Sequence, residues 1–291
     1  MPDDKRRGGW RMLSLEARLV GLGPGRLVLL GGVLAGMLLL LSACRAPAET
    51  PSPVYLEAAG ATAMLPLMDD LTAVFSQRHP HVSLDVSGGG STLGQKMAAA
   101  GQVDLGLTCW LPDGPPPGLG ATIIARDGVS VIVHPTNAIT GLTLVNVRDI
   151  FSGRITDWRQ LGVQSMPVQV ISREDGSGSR AVFESRSMQG RRVTPTALVM
   201  PNSQAVVDYV AGDPQAVGYV SMGYDTTGTR VVALEEMFPT PENVSNGAYY
   251  LTQELVILTR SDGPTEVRAF LDFALSPAGQ SIVGRRYGRV R

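Results

Sequence analysis

Ser172-Arg173-Glu174-Asp175-Gly176-Ser177-Gly178-Ser179-Arg180 follows Val168-Gln169-Val170-Ile171, which reads as a buried strand. It precedes Ala181, Val182 and Phe183, which fall on the inner side of a predicted helix starting at Ser177. A strand, a glycine turn and a helix start leave the first helical N–H groups without intrahelical partners, at the positive end of the macrodipole. An oxyanion can settle there. Ser177 and Ser179 add hydroxyl donors, and Arg173 adds a planar fork that matches two oxygens of a tetrahedral anion. Taken alone, the stretch also fits an ordinary strand-to-helix connection with Ser177 as N-cap.

The same device occurs twice upstream. Val54 to Ala59 reads as a strand that runs into Gly60-Ala61-Thr62-Ala63, after which Leu65, Leu67, Met68, Leu71, Val74 and Phe75 recur at helical spacing. Val82, Leu84 and Val86 alternate as a second strand, and Gly88-Gly89-Gly90-Ser91-Thr92 opens a helix that carries Lys96 and ends near Gly101. Three glycine turns each place a hydroxyl at a helix start: Thr62, Ser91 and Ser177. In a chain without a Walker-type lysine motif, they point to one shared anion at the strand ends of an α/β sheet.

Ahead of this region, Lys5, Arg6, Arg7, Arg11, Arg18 and Arg26 precede an apolar run, Leu27 to Leu41, that is short for a membrane span. It ends in Leu41-Ser42-Ala43-Cys44, which resembles a bacterial lipobox. The expectation is a signal peptide over residues 1 to 43, a lipid on Cys44 and a proline-bearing tether over 44 to 53; the alternative is a signal anchor retained in the membrane. The leader holds six of the 25 Lys and Arg and three of the 26 Asp and Glu, leaving a formal charge of −4 on residues 44 to 291. An acidic mature chain argues against a nucleic-acid partner. Only Cys44 and Cys109 are present, and His79, His81 and His134 are scattered, so neither a metal nor a cofactor is expected.

From about Tyr55 onward the chain resembles the substrate-binding proteins of phosphate-type ABC transporters. The residues that carry the resemblance are Gly60-Ala61-Thr62 with Pro66-Leu67, Ser87 to Ser91 with Gly94 and Lys96, Val103 to Gly106, Asp127 to Val133, Asp149 to Trp158, the Arg173 to Arg180 loop, Ala216 to Val220 and Phe270 to Gly279. They run in family order over nearly the whole mature chain. The resemblance implies a two-lobed α/β fold of the periplasmic-binding type, with the chain crossing between lobes twice, near Val133 to Asn137 and near Leu251 to Ile257. Residues 54 to 133 with 256 to 291 would form lobe 1, and 134 to 255 lobe 2. The implied ligand residues are Thr62, Ala63, Ser91, Arg173, Ser177, Gly178 and Ser179, with Asp175 behind Arg173 to orient its guanidinium.

At Cys109 the chain departs from phosphate binders of the family that carry a carboxylate there. A thiol is a weak donor and acceptor and does not reproduce an acid that accepts a proton-bearing oxygen, so Cys109 is a cleft residue without an assigned role. The implied function is that of a monomeric, extracytoplasmic, lipid-anchored protein that captures phosphate or a similar oxyanion and delivers it to a permease. An anion sensor without transport and a hydrolase using Ser177 or Ser91 remain the alternatives. Trp158 reads as a packing residue of the second lobe.

Overall fold

The computed structural model describes residues 51 to 290; the leader and Cys44 lie outside them. β1 (Val54–Gly60) leads through a 3-10 turn, Thr62–Met64, into α1 (Leu65–Arg78), whose apolar stripe of Leu67, Met68, Leu71 and Phe75 is buried. β2 (Val82–Ser87) alternates buried Val82 and Leu84 with exposed Ser83 and Asp85, the period of a strand with one wet face. It pairs in parallel with β1, and α2 (Ser91–Ala99) follows. β3 (Leu105–Thr108) pairs with the other edge of β1. Gly94 lets α2 lie directly on these strands: a Cβ there would sit 2.5 Å from the Leu107 carbonyl oxygen and 2.7 Å from that of Ala59.

β4 (Leu119–Val133) is the longest strand and belongs to both lobes. After it come β5 (Gly141–Leu142), α3 (Leu144–Phe151) with a Thr143/Asn146 capping box, β6 (Gln169–Arg173) and α4 (Gly178–Ser187). Then follow β7 (Leu198–Met200), α5 (Ser203–Gly212), β8 (Ala216–Ser221), β9 (Arg230–Leu234) and α6 (Pro241–Ser245). β10 (Thr252–Arg260) returns to the first lobe, where α7 (Thr265–Leu275) and α8 (Pro277–Val283) close the chain. The sheet order is β2-β1-β3-β10-β4-β8-β6-β7, with β9 and β5 on a branch at β4. It is mixed, because β10 runs antiparallel to both β3 and β4, and β4 antiparallel to β8.

Two buried cores define the lobes. The first gathers residues of β1, α1, β2 and β3 with Ile124, Ala125, Leu255, Ile257, Phe270 and Tyr287. The second gathers Val129, Val131 and Val133 with Phe151, Trp158, Phe183, Tyr219 and Leu251. Trp158 is fully buried and donates its indole N–H to the Gln215 carbonyl at 3.2 Å.

The first crossing corrects the sequence expectation. β4 pairs with β10 through Gly128 and with β8 from Val129, so the chain changes lobes at Asp127 to Val129 and not at Val133 to Asn137. One unbroken strand serves both sheets, and the His134-Pro135 break marks only its end. Among the described residues no helix is long and apolar enough to cross a membrane.

Candidate functional site

Three helix starts converge between the lobes around a tight, closed-down site lined by Ala61, Thr62, Ala63, Gly90, Cys109, Arg173, Ser177, Gly178 and Ser179. Of the residues expected from sequence, Thr62, Ala63, Arg173, Ser177, Gly178 and Ser179 line this pocket. Ser91 stands immediately behind Cys109, accepting a hydrogen bond from its N–H at 3.1 Å. Gly178 is required by the closeness of the lobes, since a Cβ there would lie 2.2 Å from Ser91 Oγ and 2.6 Å from Cys109 Sγ.

Arg173, at the end of β6, is 1% exposed. Its Nη1 donates to Ser203 Oγ at 2.9 Å and its Nη2 to Thr62 Oγ1 at 3.1 Å, so one guanidinium touches both lobes. Thr62 Oγ1 and Ser203 Oγ are 3.0 Å apart, and Tyr224 OH donates to the Thr62 carbonyl at 2.6 Å. Across the mouth, the Thr92 N–H reaches the Gly176 carbonyl at 3.1 Å. The Ser177 hydroxyl caps α4 by accepting from the Arg180 N–H at 3.3 Å.

The carboxylate behind Arg173 is Glu174, not Asp175. Glu174 accepts from Arg173 Nε at 2.8 Å and from Nη2 at 2.9 Å in a bidentate pair. Asp175 turns outward, its side chain 98% exposed, and binds Arg180 at 2.8 Å. The glycine turn that follows carries Asp175 away from the cleft, while its neighbour is directed inward.

Burial pushes the Cys109 thiol up to about 11, against the pull of its hydrogen bond with Ser91, so it is neutral at pH 7. Its sulfur lies 3.5 Å from Ser91 Oγ and 4.0 Å from Ser179 Oγ. No histidine lines the pocket, and no group of His, Cys, Asp and Glu with metal-binding geometry occurs among the described residues. Ser203 and Tyr224 were not singled out in the sequence, although Asn202-Ser203 is a fourth polar helix start: the Asn202 side chain accepts from the Ala205 N–H at 2.8 Å. Gln253 and Asp127 were also missed. Gln253 Nε2 donates to Ser179 Oγ at 3.2 Å and to Asp127 Oδ2 at 2.6 Å.

Two α/β lobes on two connecting strands, closed over a small pocket of neutral donors and one buried arginine, define a solute-binding protein of the periplasmic type. Residues 47–278 match the model of the PBP superfamily domain, and the chain belongs to that superfamily. It is 31% identical to a putative phosphate ABC transporter substrate-binding protein with bound phosphate from Clostridium perfringens, over 81% of this chain and 100% of that one, with a TM-score of 0.78. An ABC-type phosphate transport receptor from Vibrio cholerae is 29% identical, with a TM-score of 0.66 over 80% of this chain and 99% of the receptor. The phosphate-binding protein PstS of Bacillus subtilis (strain 168) is 26% identical over 238 residues, 79% of this chain and 78% of that protein. Within the superfamily the chain is therefore a member of the phosphate ABC transporter substrate-binding proteins. These relatives are binding proteins of transporters and not enzymes, which removes the hydrolase reading of Ser91 and Ser177.

Proposed function

We propose that this protein captures inorganic phosphate, or a tetrahedral oxyanion of the same size, between its lobes outside the cytoplasmic membrane and delivers it to an ABC transporter permease. Thr62, Ala63, Ser91, Arg173, Ser177, Gly178 and Ser179 hold the anion, through hydroxyls, backbone N–H groups and one guanidinium. Lipid on Cys44 keeps the protein at the membrane surface, each buried CH2 contributing about 0.8 kcal/mol. Residues 54 to 128 with the C-terminal segment act as one rigid lobe and residues 129 to 251 as the other.

The observation that carries this reading is Arg173, a cation 1% exposed that lines the site where three helix starts meet and bonds to hydroxyls of both lobes. Glu174 pairs with one edge of the guanidinium, and the N–H groups of its other edge reach neutral hydroxyls of both lobes, so an anion bound between the lobes adds contacts that favour the closed arrangement. Many preorganised hydrogen bonds then hold the anion without a large positive field. Calorimetric titration of the purified protein with phosphate, arsenate, sulfate, molybdate and tungstate at pH 7 tests the reading. The expected result is saturable phosphate binding with one anion per chain; heat with none of the five would remove it.

A further inference from the structure

Asp127 and Gln253 are register partners on β4 and β10, the two strands that join the lobes, and each stands where its strand leaves one lobe for the other. Both are buried beside largely aliphatic stretches: Val129 to Val133, interrupted only by Ser130, after Asp127, and Leu255 to Leu258 after Gln253. Asp127 has no cationic partner. Its Oδ2 accepts from Gln253 Nε2 at 2.6 Å, and its Oδ1 has no hydrogen-bond partner. The other proton of the same Nε2 goes to Ser179 Oγ at 3.2 Å, at the wall of the pocket, and Gln253 Oε1 is without a partner.

Resting on the oxyanion reading of the pocket, we propose that Asp127 and Gln253 are positioning residues that set whether the Ser179 hydroxyl gives or accepts a hydrogen bond at the bound anion. With Asp127 ionised, Gln253 Nε2 donates to both Asp127 and Ser179. The Ser179 oxygen is then engaged as an acceptor, and its own proton points to the anion. Asp127 takes up its proton on Oδ2, which faces Gln253, because Oδ1 has no partner to receive one; Oδ2 is then a donor that Nε2 cannot satisfy, so the amide turns over. Gln253 Oε1 then accepts from Asp127 and from Ser179 together, and Ser179 offers lone pairs to the anion. A lone pair suits an oxyanion that carries a proton and repels one that carries none.

The change falls in an accessible range. Burial is the largest influence on Asp127 and pushes it up to about 7, against the lowering pull of Gln253 and Ser221. The titratable groups facing it are Cys109 at the end of β3, Tyr224 beyond β8, Tyr249 ahead of β10 and Tyr287 beyond α8. Burial raises all four above their ordinary values, which keeps each neutral while Asp127 titrates. Arg173 faces Cys109 and Tyr224 from the second lobe.

Sulfate is the probe, because it has no proton to lose in this range, and phosphate is the control. Dissociation constants are measured by calorimetry on the full chain in detergent for wild type, Asp127→Asn, Gln253→Leu and Gln253→Met, with melting curves to verify folding. Wild type is expected to bind sulfate about tenfold more tightly at about pH 8.5 than at about pH 5.5, the worth of one hydrogen bond changed from repulsive to attractive. All three variants are expected to give a flat sulfate profile, and the two Gln253 variants carry the test if Asp127→Asn does not fold. A flat wild-type profile, a profile kept in the Gln253 variants, or phosphate binding with no sulfate binding at the higher pH overturns the inference while the phosphate reading stands. Binding of neither anion by wild type overturns both.

Discussion

Arg173 and Asp127 are both buried charges near the cleft, and they are treated in opposite ways. Arg173 has four side-chain hydrogen bonds to Ser203, Thr62 and Glu174, so its charge is held in place from three directions. Asp127 has one close hydrogen bond, from the neutral Gln253 amide, only weaker pulls from Ser221 and the Met222 and Gly128 N–H groups, and no cation paired with it. A cation held that firmly is a fixed part of a binding site; a carboxylate held that loosely stays close to neutrality and is sensitive to its surroundings. The contrast separates the group that binds from the group that adjusts. Four substitutions break or sharpen it.

Arg173→Ala has the largest expected effect. Its removal takes away the only charge complementary to an anion in the site lining and leaves Glu174, behind it, without its partner. Truncation of one partner in such a buried, charge-assisted contact costs roughly 2–5 kcal/mol, so phosphate affinity should fall about 30-fold to 5000-fold. The fold should survive, because the guanidinium lies at the lobe boundary and belongs to neither apolar core. Titration calorimetry beside a melting curve checks both halves. Near-wild-type phosphate affinity in a folded variant would move the site elsewhere.

Asp127→Asn comes next, and its effect is on stability against pH. The folded chain keeps the Asp127 proton up to about 7, whereas the unfolded chain releases it near the ordinary aspartate value of 3.8. Between those two values the folded state binds more protons, so stability contributed by this group falls as pH rises through the window and is level above it. The loss amounts to at most about 4 kcal/mol, three pKa units of differential ionisation. Asparagine carries no such penalty. The variant should therefore melt up to about 10 °C above wild type at pH 8, with the gap closing toward pH 4. Calorimetric melting at the two pH values measures it, and equal melting temperatures at pH 8 would mean that Asp127 is not strained by its burial.

Much of this was legible in the sequence, because local signals set local structure. The strand, glycine turn and hydroxyl at a helix start recur before Thr62, Ser91 and Ser177, and each is where the chain pattern predicts a helix N-terminus. Thr62 and Ser91 come together because β1 and β2 are parallel neighbours that place their helix starts along one edge of a sheet, and Ser177 meets them from the other lobe. What was not legible depended on partners far apart in the chain. The lobe crossing lies inside β4, where the mostly aliphatic residues 129 to 133 read like part of a single-lobe strand, and the exchange of β10 for β8 marks it. Asp127 and Gln253 gave a faint signal, a polar residue in each of two apolar runs, yet their link needs the register between strands 126 residues apart in sequence. The choice between Glu174 and Asp175 turned on the direction of one turn, which neighbouring acids of the same charge do not reveal.

That last pair gives the finest test, and two opposed effects decide its sign. Glu174→Gln loses one of the two oxygens that fix the Arg173 fork, which should weaken anion binding; it also removes a negative charge from beside the site, which should strengthen it. Orientation is over-determined, since Ser203 and Thr62 still hold Nη1 and Nη2 after the substitution, so the charge effect should win. Phosphate should bind about two- to fivefold more tightly at low ionic strength, with the gain shrinking as salt is added. Asp175→Asn removes the same formal charge from a side chain 98% exposed, where water and salt screen it, and the phosphate dissociation constant should not move at any salt concentration. Salt series on the two variants read the difference directly. Equal behaviour would mean that Glu174 is screened as fully as Asp175; a weaker Glu174→Gln would mean that the fork, and not the charge beside it, governs the contact with the anion.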